Sequence, residues 1–128
     1  MRVQTNIALL SLFTMGFLMT GCSSQPKPLY NYGEYSESYY HSKKELSAES
    51  ALELQKSIEY SIENAADSRS NRVAPGMYAN LGYIYLKSGN SAKAIESFNK
   101  EKSIYPESAH FMDRMIKKIE ATEEKTND

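Results

Sequence analysis

Very few side chains in this chain are of a type that does chemistry by itself. Cys22 is the only cysteine, and His41 and His110 are the only histidines. His110, in Ser108-Ala109-His110-Phe111, reads as a surface histidine rather than a metal ligand, because protein metal sites gather several donors at once. His41 follows Tyr40 and has no partner within its own segment. No nucleophile, base and orienting acid come together in the sequence, so neither a catalytic set nor a metal or other cofactor is expected. Asp113-Arg114 reads as a structural pair: Asp113 caps or pairs locally and Arg114 reaches an acid such as Glu101. Lys100-Glu101-Lys102 and Lys117-Lys118 read as solvated helix faces. What remains is tyrosine. Five of the ten tyrosines fall between positions 30 and 40, and a tyrosine joins a large apolar body to a polar tip, which suits half-buried contacts and interfaces.

Cys22 belongs to a different chemistry. It follows a basic start, Met1-Arg2, an apolar run from Ile7 to Met19, and the small residues Thr20 and Gly21. A charged start, a short apolar stretch and small residues before a cleavage point mark a secretory signal, and the run is too short to cross a bilayer. The string Leu18-Met19-Thr20-Gly21-Cys22 resembles the bacterial lipobox, although leucine usually stands where Met19 does. That resemblance, preferred to an ordinary secretory signal with an incidental cysteine, implies that residues 1–21 are removed and Cys22 carries covalent lipid. Ser23, in place of an aspartate, implies export to the periplasmic face of the outer membrane. A lipidated Cys22 leaves no thiol for a disulfide, a metal or nucleophilic attack. Two or more acyl chains anchor a protein stably where one does not.

The rest of the chain divides by composition. Its formal charge is −1, becoming −2 once Arg2 leaves with the signal, and charges of both signs are interspersed. Nothing resembles the basic face that nucleic-acid binding requires, so no nucleic-acid partner is expected. Residues 22–41 read as a lipidated tether and an extended tyrosine-rich segment, held open by Pro26 and Pro28 and turned at Gly33. Residues 42–121 read as a helical domain, and the polar residues 122–128 as a disordered tail.

Within the helical domain, Tyr78, Leu81, Gly82, Tyr85, Ala94, Phe98 and Pro106 stand in the spacing of a tetratricopeptide repeat, with Tyr78 in the tryptophan place. The physical logic agrees. Tyr78, Leu81 and Tyr85 make one helical stripe, and Gly82 and Ala94 let two helices approach. Phe98 fills the base of the hairpin, and Pro106 ends the second helix. Pro75 suits a first helical turn, Gly89 a left-handed stop, and Asn90 or Ser91 a cap. Glu101 departs from the pattern, which wants a small residue there, so packing toward the next helix is expected to be looser. Ala51, Leu54, Ile58, Ile62 and Ala65 trace a helix face over 48–66 that Ser47 caps. Phe111, Met112, Met115, Ile116 and Ile119 trace another over 107–120. Shifting the repeat back by one period finds a poor match. The expectation is an all-α fold of about four helices, packed as two antiparallel tetratricopeptide-like hairpins. So short an array exposes an apolar face, which the tyrosine-rich segment could cover.

Two roles stay open for that segment: folding back onto the helices, or docking a partner. The strings Pro28-Leu29-Tyr30-x-Tyr32-Gly33-x-Tyr35, Val73-x-Pro75-Gly76-x-Tyr78-Ala79-x-Leu81-Gly82 and Tyr105-Pro106-Glu107-Ser108-Ala109-x-Phe111-Met112-Asp113-Arg114 resemble a family of small bacterial lipoproteins with an uncharacterised domain. Its members are encoded beside a lipoprotein resembling the curli secretion channel. The resemblance implies an accessory role at an outer-membrane assembly, with other envelope lipoproteins, that channel-like one among them, as partners; it implies no catalytic residues. The expected function is a lipid-anchored periplasmic adaptor whose binding surface uses Tyr30, Tyr32, Tyr35, Tyr78, Asn80 and Tyr85. The alternative is an envelope structural lipoprotein that binds peptidoglycan or glycan through its aromatic strip.

Overall fold

A Cβ added to Gly82 would stand 2.7 Å from the Phe98 ring and 3.1 Å from the Ala94 carbonyl oxygen. No larger residue fits at position 82 unless its neighbours give way, and this contact joins the two central helices of the fold. The computed structural model describes residues 26–127; Cys22, the signal segment and the first residues of the tether lie outside the described residues. The fold is all-α, as expected, with five α-helices and no strand among the described residues. They are α1 (Tyr35–Lys44), α2 (Ala48–Glu63), α3 (Met77–Lys87), α4 (Ser91–Ile104) and α5 (Ala109–Asn127), with short 3-10 turns at Ala65–Asp67 and Pro106–Ser108.

Successive helices pack on one another. His41 of α1 bonds Glu53 of α2, and Ser61 further along α2 donates to the Tyr32 carbonyl, so the two helices run antiparallel. Lys93 lies over Tyr85 and Lys100 over Tyr78, which makes α3 and α4 antiparallel as well. Helix α5 follows Pro106, packs along α4, and is joined to it by Lys102 and Asp113. Local chemistry explains the boundaries. Ser47 and Ser50 form a reciprocal capping box at α2, and Asn90 accepts from the Lys93 amide at α4. Gly89 takes the left-handed position (φ +80°) that ends α3. Helix α3 begins at Met77, so Pro75 precedes it rather than sitting in its first turn.

Three expectations need correction. The tyrosine-rich segment is not extended throughout, because α1 begins at Tyr35 and crosses the expected domain boundary at 42. Among its residues only Ser38 is buried, so the helix carries no apolar period for the sequence to display. With α1 added, there are five helices rather than four: two hairpins and a closing helix. Equivalent starts of the hairpins, Tyr35 and Met77, stand 42 residues apart. The tetratricopeptide period of about 34 therefore misses the first hairpin. The tail, finally, is helical through Asn127; Ala121, Glu123, Glu124 and Lys125 are good helix formers with no proline or glycine to stop them.

Two cores result. Ala94, Phe98, Met112, Ile116 and Ile119 pack between α4 and α5. Phe111, expected on the same face, is instead largely exposed. Ile58, Ala74, Met77 and Leu81 pack between α2 and α3 under Tyr30 and Tyr35. Tyr85 touches both cores, so α3 is their common wall.

The start of α3 is held from outside. Gly76 at its N-cap has φ +84° and no side chain to offer the first amides. The Glu101 carboxylate accepts from the Gly76 amide at 2.7 Å and the Ala79 amide at 3.2 Å, and Glu101 is only 3 % exposed. A buried charge needs such partners, and a helix N-terminus carries both free donors and the positive end of the dipole. The expected loosening at Glu101 is thus replaced by a cross-helix cap.

Gly82→Ala should cost about 1–3 kcal/mol in urea unfolding through overpacking against Phe98. Glu101→Gln keeps an acceptor but loses the charge and turns an amide NH2 toward other donors. It should cost about 1–3 kcal/mol in the same assay.

Candidate functional site

The tyrosine-rich strip folds back onto the helices. The Arg69 and Ser70 amides donate to the Pro28 and Leu29 carbonyls at 2.9 and 3.1 Å, tying the strip to the α2–α3 connection. Asn31 donates to the Asn64 carbonyl at the end of α2 and accepts from the Gly33 amide. Gly33 (φ +49°) lies flat against the Tyr60 ring, where a Cβ would stand 2.9 Å from it. These bonds give the long connection a purpose: it supplies amide donors to the part of the strip that precedes α1.

The rings then form a row. Tyr30 and Tyr32 meet edge to face at 6.3 Å, Tyr32 and Tyr35 lie 6.4 Å apart, and Tyr35 and Tyr39 5.8 Å. Spacings of this order are favourable for aromatic pairs. Tyr35 accepts from Asn80 Nδ2 at 3.0 Å, and burial raises its phenol above the ordinary tyrosine value. Four of the six sequence-selected binding residues, Tyr30, Tyr32, Tyr35 and Asn80, therefore meet in one assembly. Tyr78 lies apart on the α3–α4 side, whereas Tyr85 packs against both cores and reaches α2. Lys100 covers the Tyr78 ring, while Tyr85 donates to Glu59 at 3.0 Å beneath Lys93.

Tyr105 shares this design, though the sequence marked it only as a signature neighbour. It is buried, donates to the Val73 carbonyl at 2.6 Å, and has Arg72 over its ring at 4.9 Å. Burial and the neighbouring Tyr30 push its hydroxyl up to about 12, so it stays protonated and donating. Arg72 also donates to the Ile104 carbonyl at the end of α4, where a cation meets the negative end of the helix.

Part of this row keeps exposed ring surface, as do Tyr40, Tyr60 and Tyr83. Tyr32 is 41 % exposed, Tyr39 39 %, and Tyr60 53 %. Beside them lies a depression of about 510 Å³ lined by Glu34, Ser38, Glu53, Lys56, Ser57 and Tyr60. Tyr60 was not singled out by sequence, since it lies off the apolar stripe of α2 that Leu54, Ile58 and Ile62 trace. At the same end His41 bridges two acids: its Nδ1 is 2.8 Å from Glu53 and its Nε2 3.4 Å from Glu45. Glu53 lies 12 residues on and across the hairpin, out of reach of segment-by-segment reading. Asp113 pairs with Lys102 at 2.6 Å, whereas Arg114 is exposed and Glu101 is committed to α3. No helix is long and apolar enough to cross a membrane, and no group of three metal-ligating side chains occurs, among the described residues.

A helical stack roofed by its own tyrosine-rich leader segment, with an aromatic row exposed beside it, defines the class. The chain belongs to the family described as a domain of unknown function, DUF4810, whose profile matches residues 29–115, from the tyrosine strip into α5. No curated protein and no solved structure matches it.

The bond to Glu53, aided by Glu45, raises the His41 pKa above its usual 6.5. Because the folded value is the higher one, the stabilisation is complete below pH 6.5 and disappears as pH rises through the folded value. NMR titration should place His41 above 6.5, and Glu53→Gln should return it toward that value.

Proposed function

We propose that the protein is an outer-membrane-anchored periplasmic lipoprotein, lipidated on Cys22, that acts as a protein–protein interaction adaptor accessory to a curli-channel-like secretion or envelope assembly. In this reading the α3–α4 hairpin is tetratricopeptide-like: Gly82 against Phe98 and Ala94 is the close approach that such a repeat uses. Helical-hairpin arrays present surfaces to peptides and partner helices.

One observation supports the adaptor above the rest. Tyr32, Tyr39 and Tyr60 are exposed while their neighbours Tyr30 and Tyr35 are packed against the core. Tyr32 and Tyr39 lean on Tyr30 and Tyr35, and Tyr60 lies against Gly33, so these rings lose little conformational freedom on binding, which is what a binding hot spot requires. Tyr30, Tyr35 and Asn80 would then act as the support of the surface, and Tyr32, Tyr39 and Tyr60 as its contact. A second reading, a structural lipoprotein holding peptidoglycan or another glycan, draws on the same depression. There the Tyr60 ring borders Glu34, Ser57 and Lys56, a mix of apolar face and polar groups that suits a sugar.

The test is capture from detergent-solubilised envelopes of the native host with the tagged full-length protein. A defined lipoprotein recovered with wild type and lost with Tyr32→Ala/Tyr60→Ala, at unchanged helical circular dichroism, supports the adaptor. Retention on purified sacculi, with no protein partner, replaces it with the glycan reading. Palmitate labelling that survives Cys22→Ala would overturn the anchor.

A further inference from the structure

We propose that the surface formed by Lys27, Leu29, Arg69 and Arg72 rests on the anionic headgroups of the bilayer that holds the lipid anchor; this rests on the reading of Cys22 as lipidated. The strip leaves the helical stack at a defined place. Pro28 and Leu29 are bonded through their carbonyls to the Arg69 and Ser70 amides, so the α2–α3 connection is the part of the domain nearest to the chain's route to Cys22. Five residues separate Cys22 from Pro28, and a fully extended chain covers about 20 Å over those six steps. A tether of this length keeps the connection at high effective concentration at the membrane surface.

The side chains at that place fit the surface they would meet. Lys27, Arg69 and Arg72 are exposed, and Leu29 is 51 % exposed beside them. Asp67 is the acidic residue of the preceding turn, which leaves the cluster net positive. Arg72 is held over Tyr105 and bonded to the Ile104 carbonyl, so its guanidinium is fixed in position, while Arg69 makes no ion pair among the described residues. Each Lys or Arg near an anionic membrane surface is worth about fivefold in binding, an attraction that fades beyond a Debye length of about 8 Å. Leu29 adds an apolar contact of the kind that enters the headgroup region. Of the exposed rings, Tyr32 follows this part of the strip, Tyr39 lies in α1 and Tyr60 in α2, and none needs membrane contact for this arrangement.

The chain contains no tryptophan, so a single Leu29→Trp probe reports on this surface alone. The lipidated protein carrying it is reconstituted into vesicles of phosphatidylethanolamine with or without one third phosphatidylglycerol. Mass spectrometry of the N-terminal peptide and vesicle flotation check the anchor independently. With the anchor intact, the expected result is a blue-shifted emission, with acrylamide quenching reduced at least threefold in the anionic vesicles. Lys27→Glu/Arg69→Glu, or salt at about 0.5 M, should abolish the difference while flotation is unchanged. Equal quenching in both vesicles and in detergent, with the protein floating normally, overturns the headgroup contact and leaves the anchor standing. An unmodified Cys22 and failure to float overturn the anchor, and the headgroup contact with it. A loss of helical circular dichroism in the charge-reversed variant is resolved by Arg69→Gln, which should lower the difference severalfold and overturns the proposal if it does not.

Discussion

A buried carboxylate at the start of α3 organises this molecule. Glu101 projects from α4 into the gap that Gly76 leaves at the N-cap and takes up two amides there. The arrangement requires glycine at 76 because of its positive φ, and a close helix pair at Gly82 so that α4 can reach. Once made, it sets where α3 begins and how it lies against α4. Since α3 contributes to both cores, the packing of α2 on one side and of α4 and α5 on the other meets at this helix. The repeat pattern wants a small residue at 101, and a small residue could fill the space but could not satisfy the amides. The departure from the pattern and the absence of a side-chain cap at Gly76 are thus two halves of one feature.

The tyrosine strip extends the same stack by other means. Two hairpins and a closing helix leave the α2–α3 core open on one side. Tyr30 and Tyr35 cover it, with Asn80 and the 69–70 amides anchoring the cover. The two roles left open for this segment from sequence turn out to divide by residue. Tyr30 and Tyr35 pack on the core, whereas Tyr32 and Tyr39 keep about two fifths of their surface exposed. A cover built of tyrosine can do both, because its ring buries on one edge while its hydroxyl and other edge stay polar.

Several charged side chains among the described residues hold the geometry of the helices. Lys93 and Lys100 lie over the rings of α3, Arg72 over Tyr105, and His41 and Lys102 tie neighbouring helices to each other. Exposed pairs of this kind contribute little stability individually, and their use here is to fix register between helices already held by burial.

What the residues alone determined is whatever depends on local period and turn chemistry. The α3–α4 hairpin, its Gly89 stop, its Asn90 cap, the Ser47 cap of α2 and most of the apolar stripes of α2 and α5 follow from local spacing, although Ala51 and Phe111 of those stripes are exposed. The tertiary structure decided the rest. Helix α1 has almost no buried face and exists because α2 gives it a surface. The partners of Glu101, His41 and Tyr35 lie 12 to 45 residues away in the chain. Only packing could bring them together, since no periodicity encodes a contact between helices whose connection varies in length.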